Sequence, residues 1–129
     1  MRFLLDTQVF LWMFLYPGKI KAKFWTQLRN AENQLYLSAA SSWEIAIKVR
    51  IGKMKLPGSA ALYVPRRARE SNILSLTISE EHALAVAELP LHHADPFDRM
   101  LTAQAQLENL TVITGDTVFE RYDVRCIVV

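Results

Sequence analysis

The sequence has little of what marks a secreted or membrane protein. Its single cysteine, Cys126, excludes an internal disulfide and is typical of a reducing compartment. The apolar run Val9–Tyr16 is too short to span a bilayer, and it follows the acidic Asp6, so it does not resemble a secretory signal. We therefore expect a cytoplasmic protein with no membrane partner.

The chain also contains few glycines and prolines, and its net charge is small. The four glycines and five prolines punctuate the chain, for example at Pro17-Gly18 and Pro57-Gly58, but they mark no linker, repeat or low-complexity segment. A net charge of +2 is too small to indicate nucleic-acid binding by itself. Because 51% of the residues are hydrophobic and 22% are charged, we expect one globular domain over residues 1–129.

Hydrophobic periodicity predicts short strands that alternate with helices. Strands are expected at Arg2–Leu5, Gln34–Ser38, Ile73–Ile78, Thr111–Thr114 and Val124–Val129. Helices are expected at Gln8–Leu15, Ile20–Asn30, Ala40–Ile51, Ala60–Ser71, Ser79–Glu88 and Pro96–Glu108. This alternation favours an α/β fold, a three-layer α/β/α sandwich around a five-stranded, mostly parallel sheet.

Four acidic residues stand at ends of these predicted elements: Asp6, Glu44, Asp98 and Asp116. Two of them follow strands, and two lie in the first turns of helices. Such positions meet at one edge of an open parallel sheet, so we expect a shared pocket. Carboxylates that repel one another persist mainly where they bind hard cations such as Mg²⁺ or Mn²⁺. The pattern therefore indicates metal-dependent phosphodiester chemistry.

Each of these acids also has a structural interpretation. Asp6 could be the N-cap of the helix that follows it, and Asp98 could be an acid favoured by the dipole of its helix. Glu44 could form an ion pair with Lys48, four residues further along the same helix. Asp116 could stabilise a turn. Sequence alone leaves both interpretations open at all four positions.

The segment before Asp98 raises two further questions. Asp95 precedes Pro96 and fits an N-cap, so Asp98 rather than Asp95 is the candidate for chemistry. His92 and His93 are of a residue type that often binds metals. However, adjacent side chains point in different directions, and a loop is a common place for histidines. We therefore expect neither histidine to bind a metal.

Four short motifs follow one another along the chain: Leu4-Leu5-Asp6-Thr7, Ser41-Ser42-Trp43-Glu44-Ile45-Ala46-Ile47-Lys48, Asp95-Pro96-Phe97-Asp98-Arg99 and Thr114-Gly115-Asp116. In this order and spacing they resemble the PIN-domain ribonucleases, in particular the VapC-type toxins of toxin–antitoxin pairs. The resemblance covers essentially the whole chain. It implies a Mg²⁺- or Mn²⁺-dependent endoribonuclease that cleaves structured RNA such as tRNA or rRNA. It also implies a homodimer, a VapB-type antitoxin whose tail covers the active site, and room for a larger hetero-oligomer with it.

Carried over residue by residue, the resemblance assigns all four acids to catalysis. Asp6, Asp98 and Asp116 would bind the metal, and Glu44 would orient or deprotonate the attacking water. Thr7 and Thr114 would support them, while Gln8 stands where relatives often have Asn or His. The basic clusters of the chain are most simply solvated surface, and contact with RNA phosphates is the alternative, for which the candidates are Lys48, Lys53, Lys55 and Arg99.

The helix predicted at Gln8–Leu15 is apolar on nearly all sides. One side can pack on the sheet, so the opposite side must be covered by the rest of the chain or by another chain. We expect Trp12 or Phe14 to anchor the antitoxin or a second subunit, and a position in the core of this chain is the alternative.

Other α/β folds with carboxylates at strand ends fit the sequence less well. A receiver-type domain needs an acidic pair after its first strand, whereas Asp6 stands alone. A haloacid-dehalogenase-type phosphatase needs a second Asp at the position of Gln8, and a dinucleotide-binding domain needs a glycine-rich first turn. Two alternatives remain: a catalytically silent RNA- or partner-binding module on this fold, and a stand-alone RNA-processing nuclease.

Overall fold

The centre of the structure, a computed structural model that describes residues 1–129, is a five-stranded sheet. Its strands are β1 (Arg2–Leu5), β2 (Gln34–Ser38), β3 (Ile73–Leu76), β4 (Thr111–Thr114) and β5 (Cys126–Val128). They lie in the order β3-β2-β1-β4-β5, and every neighbouring pair is parallel. The carboxyl end of β1 is therefore flanked by those of β2 and β4.

Helices connect all consecutive strands except β4 and β5. They are α1 (Thr7–Leu15), α2 (Ala22–Arg29), α3 (Ala39–Arg50), α4 (Ala60–Glu70), α5 (Glu80–Ala85) and α6 (Pro96–Glu108). Single 3₁₀ segments occur at Pro17–Lys19, Val86–Glu88 and Thr117–Arg121, the last of which lies between β4 and β5. No helix is long and apolar enough to cross a bilayer.

The burial of β1 shows how the three layers form. Phe3 and Leu5 belong to a core cluster that includes residues of α1, α2 and α4, whereas Leu4 belongs to a second cluster with residues of α6. All three side chains are fully buried, because successive residues of a strand point to opposite faces and both faces are covered. The predicted three-layer α/β/α sandwich is confirmed.

The predicted elements are all present, but the helix predicted at Ser79–Glu88 is α-helical only over Glu80–Ala85 and continues as 3₁₀, the helix predicted at Ile20–Asn30 covers Ala22–Arg29, and both edge strands are shorter than predicted. β3 ends at Leu76 because the carbonyl of Thr77 instead accepts a hydrogen bond from the Gln104 side chain at 3.2 Å. β5 begins at Cys126 because the N–H of Val124 turns back to the Tyr122 carbonyl at 2.8 Å. An edge strand is paired on one side only, so a single competing contact ends it.

A candidate active site at the carboxyl edge of the sheet

The ends of β1, β2 and β4 bring the four predicted acids around one cavity of about 480 Å³. Trp12 is the one hydrophobic residue in its wall. The remaining wall residues are Asp6, Thr7, Gln8, Glu44, Lys48, Asp95, Asp98, Gly115, Asp116 and Thr117. Five carboxylates thus share the cavity with a single ammonium group. The structure collects residues that lie up to 110 positions apart into one acidic site.

Asp6 has a capping role as well as a place in the cavity. Its Oδ1 accepts a hydrogen bond from the N–H of Val9 at 2.8 Å, which makes it the N-cap of α1. Its Oδ2 accepts one from the hydroxyl of Thr114. Burial raises the pKa of Asp6, against the lowering effect of these hydrogen bonds and of one from the backbone of Gly115. A carboxylate has about four lone-pair sites, so capping still leaves sites for a cation.

Thr114 links the two acids that follow strands. Its hydroxyl donates to Asp6 and accepts a hydrogen bond from the N–H of Asp116 at 2.9 Å. Thr114 is fully buried, so this bridge is held rigidly at the end of β4. Asp116 is exposed and caps the following 3₁₀ segment through Val118 at 2.9 Å. The turn interpretation of Asp116 is therefore correct, and it is compatible with a place in the cavity wall.

Glu44 reaches the cavity from α3 and is only 7% exposed. Lys48 Nζ lies 2.6 Å from its Oε2, so the ion pair expected from the spacing is present. The pair is partly buried, which distinguishes it from an ordinary surface ion pair. One turn earlier, Ser41 accepts a hydrogen bond from the Thr7 hydroxyl at 2.9 Å, and this contact fixes α3 against α1. The contact thus links Thr7 to the helix that carries Glu44.

Asp95 and Asp98 divide the N-terminus of α6 as the sequence predicts. Asp95 Oδ1 accepts hydrogen bonds from the N–H groups of Phe97 at 2.8 Å and of Asp98 at 3.1 Å, so it is the N-cap. Asp98 occupies the third helical position, and its side chain is 23% exposed. Capping therefore accounts for Asp95, and it leaves the Asp98 carboxylate free to face the cavity.

The electrostatics of Asp98 reflect the whole cluster. Its pKa is raised to about 7 from an ordinary value of 3.8. The causes, in decreasing order, are burial and then repulsion by the charges of Asp95, Asp6, Glu44 and Asp116. The metal-free site therefore keeps a proton on Asp98 up to a much higher pH than an ordinary aspartate does. An acidic cluster that retains a proton in this way lacks enough nearby cations to neutralise its carboxylates.

The fit of this site to a divalent cation rests on its donor set. No group of three or more His, Cys, Asp or Glu side chains is already arranged so that it could hold a metal ion. However, the cavity offers several carboxylates of the type that Mg²⁺ and Mn²⁺ prefer, and the raised pKa of Asp98 shows uncompensated negative charge. The donor chemistry fits a hard cation, and binding would have to draw the carboxylates closer together.

The basic residues named as RNA contacts are separated by the structure. Lys48 lies in the cavity wall, and Lys53 and Lys55 are exposed after the end of α3. Arg99 is only 7% exposed, and its guanidinium donates to backbone carbonyls, including that of Pro90 at 2.8 Å. Because that guanidinium is enclosed by the segment that precedes α6, Arg99 does not belong among the phosphate contacts. Its assignment there is corrected.

Sequence reasoning missed two contacts of the site. His93 Nε2 lies 3.5 Å from Asp98 Oδ2. A Cβ on Gly115 would lie 2.5 Å from the Trp12 ring, so a larger residue at this position would have to displace that ring from the cavity wall. The glycine of Thr114-Gly115-Asp116 was a visible signal for such a close approach. Trp12 is half-buried in the cavity wall, and its contact with a partner stays a prediction.

Comparison with known proteins agrees with this geometry. The family model for the PIN domain matches residues 3–125. Ribonuclease VapC16 of Mycobacterium tuberculosis is 42% identical over 55 residues, which are 43% of this chain and 39% of that protein. VapBC2 from Rickettsia felis, bound to a promoter DNA fragment, contains a chain of similar fold, with a TM-score of 0.72, 16% identity and 98% of each chain covered. VapBC-1 from nontypeable Haemophilus influenzae gives a TM-score of 0.68 and 18% identity over 99% of this chain and 98% of that one.

Proposed function

This chain belongs to the PIN-domain family, and on that premise we propose that it is a metal-dependent endoribonuclease, the toxin of a toxin–antitoxin pair. The observation that carries the proposal is the convergence of Asp6, Glu44, Asp98 and Asp116 on one polar cavity. The partial match to a ribonuclease supports the same activity. The acids are intact, and this favours a working nuclease over a silent binding module.

The chemistry follows from the charges in the cavity. Asp6, Asp98 and Asp116 would hold Mg²⁺ or Mn²⁺, which when bound lowers the pKa of water and offsets charge on phosphate. Glu44 orients the attacking water and accepts its proton as the water oxygen bonds to phosphorus. The bond from phosphorus to the leaving oxygen breaks, and that oxygen takes a proton from solvent. Lys48 holds the Glu44 carboxylate in place through their 2.6 Å contact.

The residues around the cavity support a proposal for the substrate, and the similar solved chains support one for the partners. Lys48 in its wall and the exposed Lys53 and Lys55 near the end of α3 would contact the phosphates of a structured RNA, tRNA or rRNA. The similar chains in VapBC2 and VapBC-1 support a VapB-type antitoxin as partner. We further propose a homodimer, a larger assembly with the antitoxin, and a cytoplasmic location, in keeping with the free thiol of Cys126.

The proposal is tested with the purified chain and an end-labelled pool of tRNA and rRNA. Cleavage should require Mg²⁺ or Mn²⁺ and stop in EDTA. Asp98→Asn should lower the cleavage rate by at least about 100-fold, the scale of losing one essential charged group. The matched control is Asp95→Asn, which keeps the helix cap and should stay within about threefold of the wild type. Equal cleavage in EDTA, or an active Asp98→Asn variant, would overturn the proposal.

A further inference from the structure

Behind Asp98 lies a row of polar side chains that the reaction above does not use. Arg99 Nη1 donates a hydrogen bond to Tyr122 Oη at 3.3 Å. Tyr122 Oη lies 2.7 Å from His93 Nδ1. His93 Nε2 in turn lies 3.5 Å from Asp98 Oδ2. The row runs from a buried cation to the carboxylate at the cavity wall and joins residues from the loop before α6, from α6 itself and from the turn before β5.

The donors in this row all point in one direction. Arginine has no acceptor, so Tyr122 Oη must accept the hydrogen bond from Arg99. The hydrogen of the tyrosine hydroxyl is then available to His93 Nδ1, and we assign the hydroxyl as the donor and Nδ1 as the acceptor of their 2.7 Å contact. A neutral imidazole carries its hydrogen on the nitrogen that does not accept, and here that nitrogen is Nε2. The hydrogen on Nε2 is therefore directed at Asp98.

His93 Nε2 is buried beside the carboxylate of Asp98. The atom is buried and has no hydrogen-bond partner at normal length. A buried N–H without an acceptor is costly, and the nearest charged acceptor is Asp98 Oδ2. A small rotation of the carboxylate would shorten the 3.5 Å contact to a hydrogen bond.

We propose that His93 is a positioning residue that donates from Nε2 to Asp98 and holds this carboxylate in the orientation that binds the cation. The proposal rests on the function proposed above. Arg99 and Tyr122 act through His93: the first orients the tyrosine hydroxyl, and the second selects the tautomer. Outer contacts of this kind commonly change metal affinity or activity by about 10- to 100-fold when they are removed.

The row is held in a rigid setting. Arg99 also donates to the carbonyls of Val86 at 3.1 Å and Leu89 at 3.3 Å, and these bonds fix the chain that leads to the histidine. Tyr122 is only 5% exposed. A purely structural role, in which His93 fastens its loop to Tyr122 through Nδ1, would use the same contacts but would not involve Nε2. The two roles therefore predict different results for variants that replace one ring nitrogen at a time.

The test measures Mn²⁺ affinity by titration calorimetry in the purified chain. His93→Ala should weaken binding by about 10-fold or more. His93→Gln places an amide N–H near the position of Nε2 and should restore most of the affinity, whereas His93→Asn reaches only the position of Nδ1 and should not. His92→Ala is the control, because His92 meets the Tyr122 ring edge-on, with 4.8 Å between the ring centroids, whereas the histidine near the Asp98 carboxylate is His93. Circular dichroism and thermal unfolding in EDTA confirm that each variant is folded.

A second measurement needs no metal. Nitrogen-15 NMR of labelled histidine should show His93 with its hydrogen on Nε2 in the metal-free protein, and Tyr122→Phe should shift the ring towards a mixture of tautomers. A hydrogen on Nδ1, or equal Mn²⁺ affinity in His93→Ala and the wild type, overturns the positioning role alone. A wild type that does not bind Mn²⁺, or an Asp98→Asn variant that binds it equally well, overturns the proposed function and this inference together.

Discussion

Helices α1 and α6 both begin at the acidic cavity with an aspartate cap, but they use their aspartates differently. At α1, Asp6 caps the helix and also faces the other acids. At α6, Asp95 makes the cap and Asp98, one turn further on, lies on the row of contacts that runs through His93. Under the proposed function a single residue would serve both folding and chemistry at α1, whereas two residues would divide these roles at α6. Substitutions should therefore couple stability and activity at one helix and separate them at the other.

The largest expected effect is at Asp6. Asp6→Ala should lower RNA cleavage by at least about 100-fold and the metal-free unfolding free energy by about 1 kcal/mol, because the cap is lost. Asp6→Asn keeps an acceptor for Val9, so cleavage should fall as far while stability stays close to that of the wild type. RNA cleavage and chemical denaturation in EDTA measure the two quantities. An Asn variant as unstable as the Ala variant would show that the carboxylate itself is needed for the fold.

The next effect concerns metal binding at α6. Mn²⁺ at about 100 times its dissociation constant should stabilise the wild type by about 2.7 kcal/mol. Asp98→Asn should lose most of this gain, while Asp95→Asn should keep it, because the cap does not bind the ion. Thermal unfolding with and without Mn²⁺ measures the gain. Equal gains in the wild type and Asp98→Asn would show that the acids do not form one site.

The stability of the metal-free protein and the additional stability gained from Mn²⁺ should depend on pH in opposite directions. In the metal-free protein the pKa of Asp98 is about 7, above its ordinary value of 3.8. The folded state then binds more protons than the unfolded state between these values, so stability should rise as pH falls from about 7 to 4, by at most about 1.4 kcal/mol per pH unit. The gain from Mn²⁺ should instead fade over the same range, because the ion needs the ionised carboxylate.

Denaturation in EDTA and in Mn²⁺ at several pH values measures both trends, with Asp98→Asn as the control in which the first should be weaker, because only the raised pKa of Asp6 then contributes to it. The raised pKa of Asp98 predicts that acidification stabilises the metal-free wild type relative to the Asp98→Asn variant. If the stability of both proteins instead falls in parallel as the pH is lowered, that raised pKa is contradicted.

The smallest effect is at Asp95. Asp95→Ala should cost about 1 kcal/mol of stability through the lost cap, whereas Asp95→Asn should cost only a few tenths. Either change removes the charge that, after burial, raises the pKa of Asp98 most. The pKa of Asp98 should then fall below about 7, which carbon-13 NMR of the carboxyl group can follow. An unchanged titration would mean that the charge of Asp95 does not contribute to the raised pKa.

Most of the fold follows from local patterns. The apolar residues Phe3-Leu4-Leu5 predict a strand buried on both faces, and Asp95-Pro96 predicts the start of α6, because strand burial and helix capping depend on neighbouring residues. The same patterns place the four acids at element ends. Parallel pairing then brings those ends to one edge, so the acidic cavity could be predicted before any contact was known.

The contacts around that cavity could not be predicted in the same way. His93 and Tyr122 are 29 residues apart, and no periodicity links them. Arg99 follows Asp98 directly and has the composition of a phosphate contact, yet its helix turns the guanidinium into the interior. Which side chain faces inward depends on the rotation of α6 about its axis, and that rotation is decided by packing against the sheet.

The sequence by itself therefore determined the order of the elements, the parallel sheet and the identity of the acids, because these depend on local propensity and strand periodicity. Only the tertiary structure decided how strongly the acids interact, that the ring of Trp12 closes over Gly115, and that His93 stands behind Asp98. Those features depend on distances of a few ångströms between segments far apart in the chain. Burial and charge repulsion, which set the pKa of Asp98, exist only once those segments have packed together.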